Sequence, residues 1–559
     1  MLSDCIAVPS PLGAPIRNLR LTDACNGCEL IRIMGRYSTD GIPSRIPVIM
    51  HVLSHKKPRR LLFSSAAFLI STACGPTAPE QPNILLVFTD DHAAHAVSAY
   101  GSVINETPNI DRLAAEGMLF ENAFVTNSIC APSRATILTG QFGHLNGVPT
   151  NYDTLHASTV TFPRLLQEAG YQTSIVGKWH LKVHPAGFDH FEVLRGQGPY
   201  YNPVLFSADD SVAYEGYTTD VITDRTLHWL RESRDPGRPF LLMYQHKAPH
   251  REWAPGPNHM NLFADQEIPE PSTLFDDASG RTSAALTQEM TIADHMSARD
   301  LKFVAPNNLT SDQLATWNDA YGPRNAAFDR AELEGDDRTS WMYQRYIKDY
   351  LRAVASVDDN LGRILDYLDS EGLAQNTVVV YMSDQGFFLG DHGWYDKRWM
   401  YEESLKTPLI VRWPEGVVAG SRNNALVQNL DIAETFLDLA GAPIPASMQG
   451  ESLVPLLRGE DPDDWRDAIY YQYFEYPGPH MVRRHYGVRT HTHKLIHYYE
   501  IGEWELFDLQ ADPDELSSVY GKPAYAELQE SLKLRIDSLR IHFAVPEADL
   551  VPYERGSLP

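Results

Sequence analysis

Five consecutive residues concentrate the chemistry open to this chain: Cys130, Ala131, Pro132, Ser133 and Arg134, followed at once by Ala-Thr-Ile-Leu-Thr-Gly ending at Gly140. A thiol, a hydroxyl and a guanidinium stand at the head of an apolar helical run. Proline is preorganised for a first helical turn, where its missing N–H leaves nothing unpaired. The free amides and positive dipole end of such a helix favour an anion. The segment therefore offers a reactive side chain beside a place for an anion. Alone it would more readily describe a buried cysteine ahead of an ordinary helix; the rest of the chain reverses that.

Four short apolar runs each lead into charged or metal-capable residues. Residues 84–88 are followed by Thr89-Asp90-Asp91. Residues 173–176 are followed by Gly177-Lys178-Trp179-His180. Residues 240–244 precede His246, Lys247 and His250, and residues 378–382 precede Ser383-Asp384-Gln385. Asp90, Asp91, Asp384 and Gln385 are hard oxygen donors, which suit calcium or magnesium better than zinc. Adjacent carboxylates repel, and a divalent cation relieves that repulsion. Lys178, between a buried run and Trp179, is a candidate for holding an anionic group as a point charge. His246 and His250 lie on one loop, each an imidazole able to move a proton. His144 reads as a core or supporting histidine.

Continuous apolar runs of four to eight residues read as strands buried on both faces, as in parallel sheets. Residues 409–411 look similar. Helical patterns lie between the runs, at 110–116, 162–169 and 346–368, the last with Tyr350, Val354, Val357, Leu361 and Leu365 on one face. Alternating strands and helices predict an α/β fold. In open sheets of this kind ligands bind beyond the carboxyl ends of the strands, so the four polar strand ends are expected around one point. Residues 255–340 are polar and weakly periodic, and read as an insertion forming part of a substrate rim. After a helix near 430–439, short aromatic-rich runs at 468–474, 486–489, 494–499 and 504–508 predict a small antiparallel sheet. A terminal helix is expected over 524–541.

The signature Cys-x-Pro-Ser-Arg-x-x-x-Leu-Thr-Gly over 130–140 is similar to that of the type I, formylglycine-dependent sulfatases, and the resemblance extends from about residue 83 to about 542. It implies an alkaline-phosphatase-like α/β fold, with a large mixed sheet flanked by helices and a smaller C-terminal antiparallel sheet plus helix. It implies that Cys130 is converted to formylglycine by a formylglycine-generating enzyme. It also implies one Ca²⁺ held by Asp90, Asp91, Asp384, Gln385 and the modified residue 130, Gln385 standing where many members have Asn. Arg134 would hold the nucleophile and metal ligands. Lys178 and Lys397 would bind sulfate oxygens, His250 would protonate the leaving alcohol, and His180 would help remove the second hydroxyl proton. The segments around His250 and around Lys397 (Gly393 to Ser404) resemble the subgroup acting on 6-sulfated N-acetylglucosamine or desulfating mucin. The expected substrate is thus a sulfated oligosaccharide or polysaccharide, and a deep basic pocket at the strand ends, closed by the 255–340 insertion and the small C-terminal part, predicts attack from a chain end. Algal glycans such as ulvan, a phosphoester or phosphonate, and an inactive glycan-binding role are the alternatives. The basic cluster His480, Arg483, Arg484, His485, His491 and His493 is a candidate for a second sulfate or a uronate.

Composition bounds these readings. The chain has 559 residues, 43% of them hydrophobic, and a formal net charge of −26. That charge argues against nucleic-acid binding and makes any anion site a local basic island. At the other end, Lys56 to Arg60 is a positive block, 61–70 an apolar core, and 71–73 are small residues before Cys74. The pattern resembles a bacterial lipoprotein signal with a lipid on Cys74, a membrane link through that lipid alone; a secretory signal cut near Ala73 or Ala78 is the other reading. Either predicts an exported protein, periplasmic or on the cell surface. The expected organisation is a non-native or disordered leader over 1–49, with Met50 as the expected initiator, a lipoprotein-type signal over 50–74, a tether over 75–82, a catalytic domain over 83–450 and a small subdomain over 451–559. Cys25 and Cys28 lack a second ligand pair at metal spacing.

Overall fold

The computed structural model describes residues 81–547. The leader, the signal and Cys74 lie outside the described residues. A 10-stranded sheet forms the centre. Its middle strands, in spatial order, are Thr377–Ser383, Asn83–Thr89, Phe240–Gln245 and Gln172–Lys178, all mutually parallel. The four apolar runs with polar ends are therefore neighbours pointing the same way. Leu409–Arg412 pairs antiparallel with Thr377–Ser383, which makes the sheet mixed.

Strand Asn83–Thr89 shows why these runs are apolar without alternation. Ile84, Leu86 and Phe88 enter the core on one face, while Leu85 and Val87 enter the core on the other. Side chains alternate across a strand, so a strand covered on both faces must be apolar at every position. Helices Cys130–Thr139, Phe162–Glu168 and Asp431–Leu439 cover the first face. Pro108–Glu116, Thr218–His228 and the C-terminal half of Gly335–Ser370 cover the second.

Helix Gly335–Ser370 begins eleven residues before the expected start at 346. Its first turns, Gly-Asp-Asp-Arg, carry no apolar periodicity, and Tyr343 and Tyr346 supply the packing that holds them. The insertion contains a further 21-residue helix, Ser311–Ala331, opened by a capping box between Thr310 and Gln313. Short edge strands at His190–Leu194, Val204–Phe206 and Ser211–Ala213 extend the main sheet and had no strong apolar signal.

The C-terminal antiparallel sheet has four strands in sequence order, Ala468–Tyr473, His485–Thr490, His493–Tyr498 and Glu503–Asp508, and helix Ala526–His542 packs on it. Its other face joins the core containing Trp394, Trp399 and Tyr401. The sheet thus braces the loop that carries Lys397. Among the described residues, no helix is long and apolar enough to cross a membrane.

Candidate active site

Helix Cys130–Thr139 starts at Cys130 itself, so Pro132 and Ser133 lie in its first turn. Every residue of the helix is buried, and Cys130 is 1% exposed. Ser133 Oγ donates to the Asp384 carbonyl and accepts from Asn429 Nδ2 at 2.9 Å, which anchors the helix start to the end of strand Thr377–Ser383. Burial and the Asp90 carboxylate push the Cys130 thiol upward, against the pull of Lys178 and Lys397. The unmodified side chain is therefore held as a thiol, not as the thiolate that a cysteine nucleophile needs.

Arg134 reaches across the strand ends. Its Nε and Nη2 each lie 3.0 Å from Asp384 Oδ2, and its Nη1 donates to the Lys178 carbonyl at 3.1 Å and to Gln245 Oε1 at 2.9 Å. One guanidinium thus ties three parallel strands together just where the chemistry gathers. Gln245 was not singled out in the sequence; its place as the last residue of an apolar run is the signal that could have found it.

The carboxylates are interlocked. Asp90 pairs with Lys178, which also donates to Gln197. Asp91 Oδ2 lies 2.7 Å from Lys397 Nζ, and Asp91 Oδ1 accepts from Gln385 Nε2. The Asp91 amide donates to Asp384 Oδ1 at 3.1 Å. Asp91 has a left-handed backbone, φ 67°. Asp90, Asp91, Asp384 and Gln385 are all fully buried. Burial raises the carboxyl of Asp91 to about 6 even though Lys397 opposes it. At Asp90, burial is outweighed by Lys178, His250 and Arg134, and its carboxyl lies well below the usual range.

This donor set fits a divalent cation. Ligand atoms of Asp90, Asp91, Cys130 and His250 all lie within 4.8 Å of one another. Asp90 Oδ1 and Gln385 Oε1 are buried oxygens with no hydrogen-bond partner, and buried polar atoms are normally paired. Asp384 stands beside this group, its two oxygens engaged by the Asp91 amide and Arg134.

The two histidines on the 246–250 loop separate cleanly. His246 is fully buried, its ring edge-on to Tyr244 with centroids 4.3 Å apart, and burial lowers it to about 3. His250 stays 12% exposed, with Nε2 3.7 Å from Asp91 Oδ2. Its Nδ1 lies 2.6 Å from the Arg251 carbonyl. A carbonyl only accepts, so Nδ1 carries the hydrogen and Nε2 faces the site. Burial holds His250 well below its usual value; Asp90 opposes this, and Lys397, Lys178 and Lys247 reinforce it. His180 has a left-handed backbone, φ 61°, and a buried Nδ1 without a partner. Burial and Lys178 keep it neutral.

The second basic cluster does not assemble as one patch. His480 Nε2 lies 3.1 Å from Asp396, next to Lys397. His485 is buried with its Nδ1 on the Arg483 carbonyl, Arg484 approaches Glu500, and His493 approaches Asp508. His144 Nε2 contacts the Phe543 carbonyl at 2.9 Å, linking the turn after helix Cys130–Thr139 to the end of the C-terminal helix.

Comparison with known proteins agrees with this geometry. Residues 82–442 match the family described as Sulfatase, and residues 390–542 match N-sulphoglucosamine sulphohydrolase, C-terminal. The chain is 46% identical, over 85% of its length and 89% of the relative's, to an N-acetylglucosamine-6-O-sulfatase of Bacteroides thetaiotaomicron. An ulvan-active sulfatase of Formosa agariphila is 25% identical, over 82% of this chain and 81% of that protein. A solved structure of a protein in complex with its substrate D-glucosamine-2-N,6-O-disulfate superimposes with a TM-score of 0.82 at 45% identity, covering 84% of this chain and 99% of that one.

Proposed function

The chain belongs to the sulfatase family and hydrolyses sulfate esters, and from that premise we propose that it removes the 6-O-sulfate of a glucosamine unit at the end of a sulfated glycan. The observation that carries the substrate is the 46% identity to an N-acetylglucosamine-6-O-sulfatase across nearly the whole of both chains, against 25% for the ulvan-active relative. Depth supports action at an end. Cys130, Asp90, Asp91 and Lys178 are all buried, and His180 and His250 form the partly open edge. A sulfate on a projecting terminal sugar reaches such a point more readily than one within a chain.

Conversion of Cys130 to formylglycine would supply a hydrated aldehyde as the nucleophile, with the helix amides behind it. A divalent cation, Ca²⁺ by the hardness of the donors, would be held by Asp90, Asp91, Asp384 and Gln385 and would supply Lewis-acid stabilisation of charge. The chain's own groups do the rest. Arg134 fixes Asp384 and the ends of the strands around it. Lys178 and Lys397, each beside one carboxylate of the Asp90–Asp91 pair, place positive charge where sulfate oxygens would lie, an electrostatic task performed by preorganised groups. His250 holds one hydrogen on Nδ1 against the Arg251 carbonyl and turns Nε2 inward. A bound sulfate places negative charge near Lys178 and Lys397, offsets part of what lowers the ring, and lets Nε2 take up a proton and hand it to the departing sugar oxygen. His180, neutral in its buried setting, is placed to accept a proton afterwards.

Export belongs to the same reading. The basic block, apolar core and Cys74 support a lipid-anchored or secreted enzyme that meets glycans outside the cytoplasm. Sulfate release from a panel tests the substrate: 6-sulfated N-acetylglucosamine, 6-sulfated galactose, sulfated fucose and rhamnose, and ulvan and carrageenan oligosaccharides. Preference for the first is expected. Activity confined to the algal oligosaccharides would overturn the sugar assignment.

A further inference from the structure

Five lysines are buried among the described residues: Lys178, Lys247, Lys302, Lys397 and Lys494. Four have a carboxylate within 4.0 Å. Lys178 pairs with Asp90, Lys302 with Asp349 at 3.5 Å, Lys397 with Asp91 at 2.7 Å, and Lys494 with Glu402 and Glu515 at 2.9 and 2.8 Å. Lys247 forms no such pair. Its Nζ donates to the Arg251 carbonyl at 3.3 Å and lies 4.7 Å from the centre of the Tyr200 ring. Neither contact neutralises a charge, and an unpaired buried cation is costly. Burial accordingly lowers the ammonium to about 8.

The setting explains what the free charge is for. Lys247 and His250 line one cavity of about 440 Å³, whose other walls include Gln197, Glu252, Arg299 and Asp300. The cavity therefore borders the reacting point through His250, and through Gln197, which touches Lys178. Arg299 is exposed, lines the same cavity, and makes no ion pair among the described residues. Asp300 is not a counter-charge for either cation, because Arg251 grips both its oxygens at 2.8 and 2.6 Å. Glu252 is the one unengaged carboxylate on the wall, set against two unengaged cations. In a chain of net charge −26, two unpaired cations facing one cavity beside the active site are a local exception.

We propose that this cavity is a subsite for a second anionic group of the substrate, held between Lys247 and Arg299 while the scissile sulfate occupies the buried nest behind His250. The inference rests on the sulfated-glucosamine reading and adds to it. The second group is either a further sulfate on the same sugar or the carboxylate of a neighbouring uronate; the shared chemistry is a fixed anion one sugar-width from the ester. This is the wall that sets preference among sulfated glucosamines, whereas Lys178 and Lys397 serve the ester itself.

The test compares wild type, Lys247→Ala and Arg299→Ala on three substrates. These are 6-sulfated N-acetylglucosamine, glucosamine 2-N,6-O-disulfate, and a disaccharide of 6-sulfated N-acetylglucosamine joined to a uronic acid. Charge-assisted contacts of this kind are worth roughly tenfold or more each. Each variant is expected to lower kcat/KM for one doubly anionic substrate at least about tenfold more than for the singly sulfated sugar, mainly through KM. The substrate that suffers identifies the source of the anion. Arg299 is a surface residue, so its variant tests the subsite even if Lys247→Ala folds poorly. Equal losses on all three substrates, or no loss in Arg299→Ala, would overturn the subsite and leave the function standing. Wild-type enzyme that turns over none of the three would overturn the sugar assignment and the subsite together.

Discussion

The hydroxyl of Tyr350 bridges the turn that carries Asp91: it donates to the Asp91 carbonyl at 2.7 Å and accepts from the Ala93 amide at 2.8 Å. Tyr350 is fully buried in the middle of the long helix Gly335–Ser370. The strained left-handed backbone of Asp91 is thus pinned by a side chain some 260 residues away. Replacing the phenol with phenyl keeps the packing but leaves two buried backbone groups unpaired, at about 1–3 kcal/mol. Tyr350→Phe is expected to remain folded, to lose about tenfold or more in kcat/KM, and to need a higher Ca²⁺ concentration for half-maximal activity. A variant with wild-type metal dependence would show that the bridge does not position Asp91.

The donor set makes a second prediction. A strong chelator should abolish sulfate release, Ca²⁺ should restore it, and Asp384→Ala should be nearly inactive, because three carboxylates and an amide oxygen are hard donors. Thermal unfolding should fall in parallel when the ion is removed, since binding to the native state alone stabilises it. Restoration by zinc alone would contradict the oxygen-donor reading.

Much of this arrangement was legible in the sequence because it follows from two periodicities. Residues 84–88 and 378–382 are apolar at every position, which a strand covered on both faces requires, and they pair in parallel from Ile84 with Val378 to Phe88 with Met382. Their polar ends then had to meet. Tyr350 was legible only as a core residue, since its place on the apolar face of a helix says nothing about its hydroxyl. The contrast between Lys247 and Lys178 was equally hidden: each stands at the carboxyl end of a buried strand, and only the fold shows which has a carboxylate beside it. The basic residues 480–493 looked like one cluster because sequence proximity hides the fold, which buries Arg484 and His485 and leaves Arg483 half-buried.

A third prediction concerns pH and lies away from the reacting groups. Glu434, on helix Asp431–Leu439, accepts from the Gly450 amide at 2.7 Å, while its other oxygen is buried without a partner. Burial, then the nearby Asp431 carboxylate, raise its carboxyl from an ordinary 4.5 to about 8, against the pull of backbone amides and Arg466. The folded state therefore keeps a proton that the unfolded chain gives up. The associated stability is complete below pH 4.5 and is lost as pH rises from there through about 8. Glu434→Gln keeps the acceptor and removes the ionisation. Urea unfolding should show wild type losing on the order of 1 kcal/mol or more across this window, with the variant flatter. Parallel profiles would show that Glu434 is not the group responsible.

The central claim is that Cys130 is the precursor of the nucleophile, and mass spectrometry of the peptide containing residue 130 tests it most directly. Protein made in a host with a formylglycine-generating enzyme, and shown to release sulfate from 6-sulfated N-acetylglucosamine, is predicted to carry an aldehyde or its hydrate at position 130, in proportion to activity. Full activity with an unmodified thiol at residue 130 throughout the sample would contradict the account.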